Sequence, residues 1–241
     1  MSAKHRARFI ALMALVIWPS FLLNAQTDDS LGDAVEAARR TRDEAQLQSL
    51  KAQLTERTNR DAKDARSWYE LARVQGYLVD VYHARKDKKS ASASVDAGIE
   101  AAQRSIQLNE TSADVHSLLA DLYGRRISLG GFTAGPRFGP KVKEENKRAL
   151  AIDDKNPHAW ASTGRQYLMT PSMFGGDTDK AIESFLKSLA LNPQQDETYV
   201  WLAKAYEKQG DKPKARNALK HALQINPQNA FAAQMISAIG K

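Results

Sequence analysis

The sequence predicts an all-α fold, an α-solenoid of stacked antiparallel helix pairs, and three observations predict it. Aligned on itself, the C-terminal third repeats: Ala181, Phe185 and Pro193 return as Ala215, Leu219 and Pro227, each pair 34 residues apart. A constant period of that length marks an array of supersecondary units rather than one closed core. The stretch before each of those runs repeats as well. Trp160, Gly164 and Tyr167 stand in a W-x3-G-x2-Y spacing, and Tyr199, Leu202, Ala203 and Tyr206 occupy the same phase one unit later. Finally, with 42% hydrophobic and 26% charged residues, the chain has enough apolar surface for packed helices, which excludes wholesale disorder.

In chain order, residues 1–25 have the layout of an export signal. Lys4, His5, Arg6 and Arg8 precede an apolar run from Phe9 to Leu23, and polarity rises after Ala25, the expected cleavage point. The apolar run is short for a membrane span and contains Pro19, although an uncleaved N-terminal anchor is the alternative. Either leader places the repeats outside the cytoplasm, periplasmic or secreted. Residues 26–64 carry Leu31, Val35, Ala38, Leu47, Leu50 and Leu54 at helical spacing and are expected to form leading helices or a degenerate half-repeat. The array is expected over 65–229, in units of about 65–112, 113–156, 157–195 and 196–229. Trp68, Leu71 and Ala72 open the first unit. His116, Leu119, Ala120 and Tyr123 open the second. Residues 230–241, with Phe231, Met235, Ile236 and Ile239, suit a capping helix.

The spacing in the third and fourth units resembles the tetratricopeptide-repeat (TPR) superfamily. That resemblance implies two antiparallel helices per unit, A and B, with helix A lining a concave face. Small residues such as Gly164, Ala181, Ala203 and Ala215 let the backbones approach, and large ones such as Trp160, Tyr167, Phe185, Leu202 and Leu219 fill the space between. Pro193 and Pro227 fall where helix B must stop, because proline cannot continue a helix. Nine positions separate Tyr206 from Ala215. The equivalent stretches of the three preceding units carry five, ten and fourteen extra residues, which are expected to form extended intra-repeat loops.

Two surfaces are candidates for binding a partner. The repeat phase places Tyr69, Arg73, Asp121, Arg165 and Lys204 on the concave face, and Arg73, Arg165 and Lys204 form a cation row suited to a carboxylate or an acidic peptide segment. The insertions at 130–141 and 170–177 bring Phe132, Phe138 and Phe174 among Gly and Pro, either as plugs at the helix-pair ends or as a binding edge. TPR domains that clamp a peptide C-terminus carry Asn at this concave phase, and this chain does not, so that ligand class is not carried over.

No catalytic pattern emerges. The chain has no Cys, no H-E-x-x-H, no G-x-S-x-G and no phosphate-binding glycine loop. The net charge of +7 comes without a basic stripe interleaved with aromatics, so a nucleic-acid partner is not expected. No cofactor or metal is expected. The function predicted is a non-catalytic exported scaffold binding a protein or peptide. The alternatives are a periplasmic accessory of a solute-uptake system holding a small ligand, and a purely structural spacer.

Overall fold

A computed structural model describes residues 20–131 and 133–239, with side chains from Ser30 onward. The leader up to Pro19, and Phe132 of the binding edge, lie outside the described residues. The described chain is helical with no strand: α1 (Ser20–Thr41), α2 (Glu44–Arg60), α3 (Ala65–Ala84), α4 (Lys88–Leu108), α5 (Ala113–Gly130), α6 (Ala134–Ile152), α7 (Pro157–Met169), α8 (Thr178–Leu191), α9 (Asp196–Gln209), α10 (Lys212–Ile225) and α11 (Ala230–Ile239). Each helix packs against its sequence neighbour, and alternate helices touch along one side as α3·α5, α5·α7 and α7·α9. This is the α-solenoid that the repeat predicts. No helix among the described residues is long and apolar enough to cross a membrane.

Local chemistry fixes where the helices begin and end. Asp43, Asp64, Asp87, Asn156, Asp177 and Asp211 cap the starts of α2, α3, α4, α7, α8 and α10, each accepting from a backbone N–H in the first turn. Gly210 ends α9 in the left-handed region at φ 83°, where a Cβ would be strained. The units also repeat their tie points. Trp68 donates from Nε1 to the Ala62 carbonyl at 3.1 Å, as Trp160 does to Asp154 at 2.7 Å. Ser105 and Ser188, near the ends of their B helices, donate to the first carbonyl of their own A helices, Ala65 at 2.8 Å and Pro157 at 2.7 Å.

The extra residues of the first two units do not form the extended loops expected. They lengthen the helices, so α3, α4, α5 and α6 have 20, 21, 18 and 19 residues against 14 in each of α9 and α10. Residues 85–94 contain no Gly or Pro, and Asp87 starts a new helix inside them. In 130–141 the prolines are accommodated differently. Pro136 falls in the first turn of α6, whose N–H groups lack intrahelical acceptors, while Pro140 gives up one ladder bond inside it. Only the third unit keeps a loop, Thr170–Asp177, wound around a single 3-10 turn at Ser172–Phe174.

The core falls into two parts. One gathers buried side chains from Val35 to Val142, the other from Leu168 to Ile239. Between them sits a thin alanine contact, Ala113, Ala149 and Ala159. Polar bonds supplement that joint: Asn146 to Gln166 at 2.9 Å and Asn156 to Asp114 at 2.9 Å.

His116 is buried in the second unit with an acceptor at each ring nitrogen. Nδ1 lies 2.6 Å from the Glu145 carboxylate and Nε2 3.1 Å from the Glu110 carbonyl. Only the imidazolium donates to both. The bond to Glu145 leads burial in effect, and the pKa stands above the usual 6.5. Stability from this site is therefore complete below the unfolded pKa and is lost as pH rises through the higher folded value. Urea denaturation midpoints are expected to fall as pH rises through that interval, and Glu145→Gln is expected to flatten the slope.

Candidate partner-binding surface

The concave face is built from α3, α5, α7 and α9, and carboxylate–guanidinium pairs stitch it from helix to helix. Asp80 on α3 accepts from Arg125 on α5. Asp121 on α5 accepts three bonds from α7: from Arg165 Nε at 2.9 Å, from Arg165 Nη2 and from Ser162 Oγ at 2.8 Å. Arg73 donates to Glu70 at 2.8 Å and to Glu36 at 3.3 Å, and its guanidinium lies over the rings of Tyr69 and Tyr77. Burial pushes the Tyr69 phenol above its ordinary range, so the ring stays neutral beside this cation.

Two members of the predicted cation row, Arg73 and Arg165, are thus neutralised within the fold. Lys204 differs. Its ammonium has no carboxylate partner among the described residues and rests 4.1 Å from the centre of the Trp201 ring. Burial lowers its pKa, because the cation has lost part of its hydration without gaining a paired charge.

Helix α1 packs on α2 and α3, and its C-terminal end reaches the last repeat. Arg39 Nη2 donates to Asp196 Oδ1 at 2.8 Å, and Arg39 Nη1 lies 3.2 Å from Glu197. Arg42 pairs with Glu197 at 3.2 Å and with Asp80 at 3.8 Å, and its guanidinium sits 4.4 Å from the Phe231 ring centre. The Arg40 carbonyl accepts from Asn226 at 3.3 Å. Burial alone would raise the Glu197 carboxyl, but Arg39, Arg42, Arg125 and Arg165 hold it down at about 2. The repeat phase pointed to Arg73, Asp121, Arg165 and Lys204. It offered no signal for Asp80, Asp196 or Glu197, whose arginine partners lie in other units, in α1 or in the turn after it.

The aromatic residues of the inserted edge separate. Phe138 stacks on Tyr123 with ring centres 5.6 Å apart and packs on the first core, so it serves as a plug. Phe174 is 74% exposed, beside Met173 at 82% and Met169 at 61%. The loop that carries them is held from within: Asp177 N–H donates to Tyr167 O at 3.0 Å and Gly176 N–H to Pro171 O at 3.1 Å. A Cβ on Gly176 would lie 1.7 Å from Thr170 O, so only glycine fits there.

Comparison with known proteins agrees with the repeat fold. The family model for regulator of microtubule dynamics proteins 1-3 matches residues 33–169, more than half of the chain, and a tetratricopeptide-repeat model matches residues 175–239. Regulator of microtubule dynamics protein 3 of Bos taurus is 24% identical over 173 residues, 65% of this chain and 36% of the bovine protein. The chain therefore spans about a third of that relative's length. Among solved structures, a thermophilic TPR protein of Thermus thermophilus superposes with TM-score 0.66 at 15% identity, covering 87% of this chain and 98% of the other. Human IFIT1, in a dimer with PPP-AAAA, gives TM-score 0.65 at 16% identity, over 81% of this chain and 41% of its own. At these identities the two structures share the fold.

Proposed function

The chain belongs to the regulator of microtubule dynamics protein 1-3 family and carries TPR repeats, and from that premise we propose that it is a non-catalytic, exported scaffold that binds a protein or peptide partner on its concave face. The observation that carries this reading is Lys204. Among the cations of the predicted row it has no acidic partner among the described residues, it is partly desolvated, and an indole lies against it. Such a group gains most from a carboxylate brought by another molecule, since the pair forms where water is already partly excluded. Arg73 and Arg165, already paired, shape the floor beside it.

The test is capture of partners by the immobilised chain from envelope and secreted fractions. Lys204→Glu is expected to weaken retention of a captured partner about tenfold, roughly 1.4 kcal/mol, with helical content unchanged. Retention equal to that of the unaltered chain would remove Lys204 from the site, and no partner above background would remove the scaffold reading. A small carboxylate is the ligand in the solute-uptake alternative, and a thermal-shift screen separates the two, because a bound small molecule raises the melting point without a macromolecule. The bovine relative's name adds microtubule regulation as a candidate context. Co-sedimentation of the chain with microtubules tests that independently of export.

A further inference from the structure

The groove cation Arg73, predicted to hold a partner's carboxylate, already holds one: Glu36 of α1, at 3.3 Å. Arg39 of α1 reaches Asp196 and Glu197, and Arg42, in the turn that follows α1, reaches Glu197 and Asp80. Glu36 and Arg39 are three residues apart, the spacing that aligns side chains along one face of a helix, and Arg42 follows in the turn just after Thr41, at φ 53°. Val35 and Ala38 of the same helix are fully buried in the first core. The end of α1 and the turn after it therefore meet the concave face as a peptide ligand would, with one carboxylate and two guanidiniums.

We propose that the end of α1 is the resident ligand of the concave groove, and that the groove recognises in trans a segment carrying the same Glu-x2-Arg-x2-Arg pattern, helical through its first arginine and turning at its second. This rests on the reading of the concave face as the partner surface and names the chemistry the partner must bring. The acceptors are in place. Asp80, Glu197 and Asp196 come from α3 and α9, and the Phe231 face covers the guanidinium nearest the rim. Arg42 lies beside both Glu197 and Asp80, two of the charges that also act on Lys204, so an α1 that swings out uncovers Lys204 together with the acceptors. Joined to the array by the short turn before Glu44, α1 competes at an effective concentration on the order of millimolar. A partner binds in proportion to how often α1 leaves.

The test is complementation in the full chain. The Arg39→Ala/Arg42→Ala variant keeps Asp196, Glu197 and Asp80 but weakens the resident. The probe is a synthetic peptide of residues 30–43. At saturating concentration it is expected to raise the variant's melting temperature by several degrees and to leave the unaltered chain unmoved. The same peptide with both arginines replaced by alanine is expected to do nothing. Should the double variant not fold, Arg42→Ala alone gives the same comparison at the more exposed pair. The proposal is overturned if the peptide leaves the folded variant's melting temperature where it was, or if the alanine peptide works equally well. The assay contains no external partner, so its failure is separate from a failure of Lys204→Glu in partner capture.

Discussion

Replacing Gly164 by tryptophan is expected to abolish cooperative folding of the third helix pair. Gly164 on α7 faces the ring of Phe185 on α8. A Cβ at position 164 would stand 2.5 Å from Phe185 Cε1 and 2.6 Å from Cδ1. Phe185 is fully buried and has no room to retreat. Even alanine sets two effects against each other. Removing a glycine from a helix gains up to about 1 kcal/mol, while overpacking a closed core costs about 1–3 kcal/mol or more. Packing wins, and Gly164→Ala is expected to be destabilising by about 1–2 kcal/mol despite its better helix propensity. Tryptophan cannot be placed without parting α7 from α8, which exposes the second core at Leu168 and Leu189. Circular dichroism and urea denaturation check both variants. An unchanged midpoint for Gly164→Trp would contradict the assigned helix phase.

The second large effect is expected at Asp196. Its side chain is 1% exposed and accepts three bonds: from Arg39 at 2.8 Å, from Asn226 at 2.9 Å and from Asn229 at 2.9 Å. Asn229 also accepts from Ala232 N–H at the start of α11. One carboxylate thus ties α1, α9 and the turn into α11 together. Asp196→Ala leaves a buried guanidinium short of a partner, takes the acceptor from the Asn229 carboxamide and leaves Asn226 with the Arg40 carbonyl. Breaking a buried pair from one side costs about 3–5 kcal/mol. Arg39 keeps Glu36 and Glu197, which places the expected loss near the lower end, about 3 kcal/mol. Equilibrium denaturation reads the loss. Hydrogen exchange is expected to show α1 and α11 deprotected ahead of α3 and α4, because those two helices flank the broken node.

How much of this was legible in the sequence depended on how local its cause was. The units around Trp160, Gly164, Phe185 and Pro193 could be found because each side chain fills a space left by others a few residues away, so the spacing carries the geometry. Residue counting assigns 85–94 to a loop because it does not distinguish a longer helix from a longer turn. The information was present in Asp87 as a cap and in the absence of Gly and Pro. The glycines and prolines of 130–141 pointed the other way, yet Pro136 sits in a first turn that does not need its N–H. For the candidate site, helical phase was enough to put Arg73, Asp121, Arg165 and Lys204 on one face. It was silent on which of those charges would be neutralised. That depends on contacts such as Arg39 with Asp196, 157 residues apart, and nothing in the composition of α1 distinguishes Arg39 from its more exposed neighbour Arg40.

A double-mutant cycle between Arg39 and Asp196, using Arg39→Met and Asp196→Leu in the full chain, tests most directly whether the first helix is bound to the last repeats. The predicted coupling energy exceeds about 1.5 kcal/mol, with the double replacement less damaging than the two single losses added together. Additivity to within about 0.5 kcal/mol would mean that α1 and α9 do not meet in solution, and the groove would then be open along its length.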